Sequence, residues 1–422
     1  MFRHTIAILL LLAIPLAAVA QTPSSLTLAA AVARARSESF EVRLSQADEA
    51  AATARVLAAR AQLLPQLGIS GTVTNGGVAQ LGMPVAQQTY LLANASVPLF
   101  DPSDAASVRA ARAGASASGF DALRARNDAG YLAAEAYERA LLARAVVASR
   151  IVTVNYQQRR VSDITVRIRV GSVPRYEGSQ AQAALAGAMQ TLEDANAGRD
   201  EAIDDLEVIL DMPIAASLAL SNALEPLPLA GNLADFQRRA AEKRPSVLAA
   251  QQRLLAADAQ LASTLDRYLP NVVGAAQSYA GRSNPDLGAR GYQLGITATL
   301  PVYEGGARKA ASLQARTDVE RARVALDQAR RSAERDVANA WYEYAAARRN
   351  LDLAHTQARA TGIELRITML RERTGKGIAL ETLAALNDDA TARENVLRAT
   401  ARLNDAVIGL HRAAGDSSPI NP

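Results

Sequence analysis

Two periods alternate along this chain, and each comes twice. Leu26 to Leu64 has no proline, is rich in Ala, Arg, Gln and Glu, and stops at Pro65, which marks a helix ended by the residue before a proline. After Pro65 the period falls to two. Leu67, Ile69 and Val73 alternate with Gln66, Gly68, Ser70, Thr72 and Thr74, and a matching run sets Thr89, Leu91, Ala93, Ala95 and Val97 on one face. Such alternation predicts strands with one apolar and one small or polar face, joined through a turn-rich loop from Gly76-Gly77 to Pro84. From Asp104 to Arg169 an uninterrupted helical run follows, with a turn at Gly171 to Pro174 and a return helix from Arg175 to Leu210.

The second half repeats this order. Leu233 to Leu269 matches the first helix but carries Pro245 opposite Phe40, where a kink is expected. Tyr292, Leu294, Ile296, Ala298 and Leu300 alternate with Gln293, Gly295, Thr297 and Thr299, whereas Val272, Val273, Ala275 and Ala276 fall on both faces of their strand. Turn formers fill Gly281 to Gly288. A helical run from Ala307 to Arg373 leads to a turn at Gly375 to Gly377 and a return helix from Ile378 to Arg412. Leu64-Pro65-Gln66-Leu67 recurs as Leu269-Pro270-Asn271-Val272, Pro98-Leu99-Phe100-Asp101 as Pro301-Val302-Tyr303-Glu304, and Val170-Gly171-Ser172 as Thr374-Gly375-Lys376. Three landmarks in one order at nearly constant spacing imply duplication of a large unit.

The expected organisation is a first repeat at 21–210, with a β-hairpin at 66–100 and a helical hairpin at 104–210. A linker follows at 211–232, then a second repeat at 233–415, with a β-hairpin at 271–303 and a helical hairpin at 307–412, and a loose tail at 416–422. At 1.5 Å per residue each long run is roughly 100 Å, far beyond an ordinary globular helix. Val337, Trp341, Tyr344, Leu351, Ala354 and Ala358 trace a coiled-coil seam.

Composition narrows this picture. Residues 1–20, with Arg3, the apolar Ile6 to Leu16 and Ala18-Val19-Ala20, read as a signal peptide and place the mature protein outside the cytoplasm. The absence of cysteine excludes disulfides, thiolate metal sites and a lipid anchor at that junction. No later segment approaches the roughly 18 apolar residues of a membrane helix, so membrane entry would require strands. Two hairpins give only four strands, whereas a lipid-embedded barrel needs at least about eight, so several chains would have to share one. A net charge of +4 comes from arginines interleaved with acids along helices, a solvated face rather than a nucleic-acid footprint.

Chemistry for catalysis is missing: His355 and His411 stand alone on helices, and Asp388-Asp389 and Asp204-Asp205 are adjacent, divergent and expected in solvent. No phosphate-binding glycine loop follows a strand, no cofactor or metal is implied, and an enzyme is not expected.

Helix, proline-ended hairpin, long helix, glycine turn and return helix, duplicated behind a signal peptide, resembles the TolC family of outer-membrane efflux proteins over Leu26 to Gly415. The resemblance implies a mainly α fold with a membrane β-barrel portion. Three protomers each give four strands to a shared twelve-stranded barrel, and their duplicated coiled-coil hairpins form a periplasmic α-barrel. It implies a passive, non-lipidated channel of a Gram-negative outer membrane, working with a periplasmic adaptor and an inner-membrane pump of the RND, ABC or MFS type. Adaptor contact would fall on Val170, Gly171, Ser172 and Val173, and on Thr374, Gly375, Lys376 and Gly377, the second set departing from the family pattern at Thr374 and Lys376. Glu177 and Glu381, at the same repeat position, would line the periplasmic entrance. The rival reading is a soluble periplasmic coiled-coil scaffold or adaptor.

Overall fold

A computed structural model describes residues 25–76, 86–214, 218–283 and 287–419. The expected signal peptide, most of the first hairpin loop and part of the second lie outside them. The elements run β1 (Ser25–Leu26), α1 (Leu28–Glu38), α2 (Phe40–Ala61), β2 (Gln66–Gly76), β3 (Ala86–Phe100), α3 (Pro102–Arg169) and α4 (Arg175–Ile209). After β4 (Ala219–Leu220) the order repeats as α5 (Leu233–Lys243), α6 (Pro245–Asp266), β5 (Asn271–Ser283), β6 (Leu287–Thr299), α7 (Ala307–Arg373) and α8 (Ala379–Ala414).

The helix ends follow from local chemistry. Asp101 caps α3 by accepting the Asp104 N–H at 2.9 Å, with Pro102 at the first helical position, where its missing N–H costs nothing. Asn232 and Asp235 form a reciprocal capping box on α5. One expectation is corrected: Leu26 to Leu64 is not a single helix. It breaks at Ser39 (φ −61°, ψ 151°), nearly the backbone of Arg244 (φ −62°, ψ 122°) before Pro245 in the second copy. The first copy makes this break without a proline, because both segments bury a stripe: Leu28, Ala31, Val32 and Ala35 before it, Val42, Ala52 and Val56 after it. Tertiary packing overrides helix propensity there.

Strands β2, β3, β5 and β6 form one antiparallel sheet in that order. The register places Leu67, Ile69 and Val73 beside Ala95, Ala93 and Thr89, and carries the first two rows on to Ala276 and Ser278, then Leu294 and Tyr292, while Val97 leads to Gly274 and Ile296. The apolar parities of β2, β3 and β6 therefore coincide on one face, joined by Gly274 and Ala276 of β5, and that face stands open: Leu67 is 83% and Tyr292 81% exposed. On the opposite face the Tyr279 ring lies across its partner Gly291, where any side chain would collide with it.

Below the sheet the helices keep the same lateral order. α3 lies between α2 and α6, with α7 beyond α6; towards the tips α3 lies between α4 and α8, with α7 beyond α8. The main core gathers α1, α3 and the end of α4 around Tyr131, Tyr137, Leu141, Leu206 and Leu210. The linker straps this level: β4 pairs in parallel with β1, and the Tyr137 hydroxyl lies 2.9 Å from both the Leu26 carbonyl and the Asn222 side-chain oxygen. Leu227 donates its N–H to Asn404 on α8 at 2.8 Å. Trp341 sits against Phe236, on the core side.

Three further expectations change. His411 is not alone: it is buried, with Nδ1 2.7 Å from Asp416 and its ring edge-on to Phe236. Asp416 also accepts from Arg239 at 3.1 Å, and its carbonyl from the Tyr131 hydroxyl at 2.8 Å, so the chain is anchored where a loose tail was expected to begin. Residues 420–422 lie outside the described residues. Asp389 is buried and paired with Arg393 at 2.7 Å, while Asp388, Asp204 and Asp205 are exposed as expected.

Candidate functional site

The two helical tips close by the same hydrogen-bond pattern. At the first, Gly171 (φ +75°) donates to Ile168 at 3.0 Å and Ser172 to Arg167 at 2.9 Å. At the second, Gly375 (φ +69°) donates to Glu372 at 3.1 Å and Lys376 to Arg371 at 2.8 Å. Each is a Schellman motif, which requires a left-handed residue and so selects glycine. The turns project an exposed Val170, 72% accessible, with Tyr176 beyond it, and on the second tip Ile378 and Leu380. Ser172, Thr374 and Lys376 are also exposed, while Val173 and Gly377 are half-buried. A side chain at Gly377 would press on the Arg371 Cβ at 3.0 Å and the Glu372 nitrogen at 3.1 Å.

Glu177 and Glu381 each enter the first turn of a return helix, where the helix dipole favours a carboxylate. Their surroundings differ. Glu177 is half-buried in a narrow cleft where α3, α4 and α8 meet, beside Arg160, Ala379 and Leu380. Glu381 is exposed and sits 3.6 Å from Arg371.

Sequence reasoning missed the residues that join the copies here. Arg160 on α3 donates to the Ala379 carbonyl at 3.0 Å and lies 3.8 Å from Glu372. Burial raises the pKa of the neighbouring Tyr156 hydroxyl, against the opposing pull of the Arg160 guanidinium, and Tyr156 packs on the Leu365, Ala385 and Leu386 cluster. Further up, Arg150 meets Glu394 at 2.6 Å, largely out of water. A signal was available: the repeat counterparts of Arg150, Tyr156 and Arg160 are Ala354, Ala360 and Glu364. Large side chains that break the repeat mark where unlike copies touch.

Among the described residues no helix is long and apolar enough to cross a membrane, and no group of three or more His, Asp or Glu is arranged to hold a metal.

The model of the family described as outer membrane efflux protein matches residues 31–210 and 237–416. Protein CyaE of Bordetella pertussis is 28% identical over 291 residues, spanning 67% of this chain and 60% of CyaE, so the match takes in less than two thirds of that relative. Two solved structures share the fold. A membrane protein from Pseudomonas aeruginosa has a TM-score of 0.80 at 22% identity, covering 94% of this chain and 91% of its own. The Campylobacter jejuni CmeC outer membrane channel has a TM-score of 0.78 at 17% identity, covering 92% and 85%. With both halves matched, the chain belongs to the outer membrane efflux protein family.

Proposed function

We propose that three copies of this chain form one continuous conduit from the periplasm to the exterior, with a shared twelve-stranded barrel above and an α-barrel below. The observation that carries this reading is the constant lateral order of the strip. At the sheet, at the upper helices and at the tips, the protomer is four elements wide, with first-copy elements on one flank and α7 or β6 on the other. Such a strip has two different open edges, and a head-to-tail contact between them closes into a ring. Four strands cannot enclose a lumen in lipid by themselves, and an open edge there leaves backbone groups unpaired. Strands of 11 to 15 residues reach or exceed the roughly 9–11 that span a bilayer. A soluble scaffold would leave the apolar sheet face in water.

The tips form the periplasmic entrance, with Glu177 and Glu381 as its carboxylates and the two glycine turns, 170–173 and 374–377, as the surface offered to a periplasmic adaptor. Rings of carboxylates favour cations. Energy comes from an inner-membrane pump. Within one chain the Arg150 and Arg160 contacts tie α3 to the second hairpin, so dilation of the entrance either breaks them or occurs between copies.

Fractionation tests this directly. Heat-modifiable oligomers of three-chain mass in the outer-membrane fraction, conducting in planar bilayers, are expected. A monomer released with periplasmic contents would overturn the reading.

A further inference from the structure

The exposed surface of the two tips is cationic. Residues 167–177 and 371–381 hold six basic and three acidic side chains. Each acid already has an arginine of the chain near it: Glu372 lies 3.8 Å from Arg160, Glu381 lies 3.6 Å from Arg371, and Glu177 is half-buried in the cleft it shares with Arg160. Arg167 pairs with Asp163 on its own helix. Arg169, Arg175, Arg373 and Lys376 remain, exposed and, among the described residues, without a carboxylate partner.

Local structure accounts for two of these cations and not for the others. Arg169 and Arg373 end α3 and α7, where the helix dipole favours positive charge. Arg175 is the first residue of α4, at the positive end of the dipole, where a cation is destabilising. Lys376 stands on the second turn, two residues before the α8 N-cap Ile378. The tips adjoin, since Ala379 and Leu380 line the Glu177 cleft, and Val170, Tyr176, Ile378 and Leu380 are exposed among the cations along the chain. A cation kept where it works against its own helix points to an anion supplied from outside.

Resting on the reading of the tips as an adaptor surface, we propose that the docking end of that adaptor is acidic. Its carboxylates meet Arg175 and Lys376, with Arg169 and Arg373 behind them, and its aliphatic side chains meet Val170, Tyr176, Ile378 and Leu380. Complementary charge of this kind fixes orientation and speeds encounter. Anionic lipid would satisfy the same cations, but a bilayer pressed on the tips would seal the conduit that a protein extends.

The test titrates full-length oligomers in detergent with labelled synthetic helical hairpins, read by fluorescence anisotropy. One hairpin carries glutamates and leucines at its turn; its twin has glutamine in place of each glutamate. The glutamate hairpin is expected to bind about tenfold tighter or more at low salt, the scale of one charge-assisted hydrogen bond, and to lose that preference above roughly 0.5 M salt, where exposed charges are screened. Arg175→Gln with Lys376→Gln should remove most of the preference without lowering the unfolding midpoint, whereas Arg175→Lys with Lys376→Arg should retain it. Equal binding of the two hairpins, or a neutralised variant with the wild-type preference, would overturn the acidic partner and leave the docking surface standing. Failure of both hairpins to bind would instead remove the adaptor surface, and the proposal with it. Complete displacement of the glutamate hairpin by phosphatidylglycerol nanodiscs would overturn the proposal in favour of a lipid occupant.

Discussion

The long helices α3 and α7 have nearly the same length, 68 and 67 residues, and end in the same turn, yet they live in different surroundings. α3 is flanked on both sides and buries Tyr131, Tyr137, Glu138, Leu141 and Val154. α7 leans on α6 and α8 and leaves Leu313, Val324, Tyr342, Leu353 and Ile367 exposed. The contrast sharpens at equivalent positions. Glu138 is 3% exposed and accepts from Asn404 at 2.7 Å, while its counterpart Tyr342 is 65% exposed. Asn404, a buried side chain, has an exposed Asp200 as its own counterpart. Duplication thus gave one helical frame, and divergence fitted one copy for the inside of a chain and the other for an edge. On the three-chain reading, an edge with a tyrosine where its twin buries a carboxylate is the surface that meets another chain.

The most forceful way to break this comparison is Tyr342→Glu, which gives α7 the side chain of α3. If the open flank of α7 packs against a neighbouring copy, a carboxylate there costs about 2 kcal/mol or more at each interface, the scale of an interfacial hot spot. SDS-resistant oligomers should disappear while the helical circular dichroism of the monomer is kept. Oligomers of unchanged heat stability would show that the exposed α7 flank is not an interface.

The closed flank of α3 makes a gentler prediction. Partial desolvation of Asp405 on α8, whose side chain still reaches solvent, raises it to about 6, with Glu135 adding to the effect and Arg139 opposing it. Burial likewise raises Glu138, against the Asn404 hydrogen bond and with Asp405 adding to the rise. A carboxyl whose folded pKa exceeds its unfolded value costs stability while charged. As pH falls through about 6 the folded protein takes up a proton that the unfolded chain does not, and stability rises. Asp405→Asn is expected to raise the midpoint of thermal unfolding at pH 7.5 and to reduce the gain on acidification from pH 7.5 to 5. A variant with the wild-type pH profile would show that this carboxyl is not desolvated by the α3 contact.

What could be read from the sequence was what depends on near neighbours. Leu67 and Ile69 alternate against Gly68 and Ser70, Pro65 and Pro270 end helices, and Gly171 and Gly375 turn them, each through forces acting within a few residues. The Ser39 break, the burial of Asp389 and the anchoring of Asp416 by Tyr131, His411 and Arg239 depend on which copy packs on which. No local period records that. Of the candidate site, the glycines and the carboxylates could be named from their repeat positions. Arg150, Tyr156 and Arg160 could be flagged only as places where the repeat breaks, and not paired, because their partners lie more than 200 residues away in the other copy.

The smallest expected effect on stability lies at the tips, where the copies are most alike. Arg167 and Arg371 occupy one repeat position, as do Glu177 and Glu381, but the pairing differs. Arg371 lies 3.6 Å from Glu381, whereas Arg167 lies 3.6 Å from Asp163 on its own helix. Both sides of the Arg371–Glu381 pair are about half exposed, and such surface pairs contribute about 0–1 kcal/mol. Glu381→Gln should therefore leave the unfolding midpoint almost unchanged. Its conductance consequence is separate from stability: Glu381 is paired with Arg371, whereas Glu177 shares its cleft with Arg160, whose guanidinium is already engaged by the Ala379 carbonyl and lies near Glu372. Reversal potentials under a KCl gradient should thus lose more cation selectivity in Glu177→Gln than in Glu381→Gln, and most in the double variant. A double variant with the wild-type reversal potential would remove both carboxylates from the entrance, and the tips would then differ only in how they are tied to the rest of the chain.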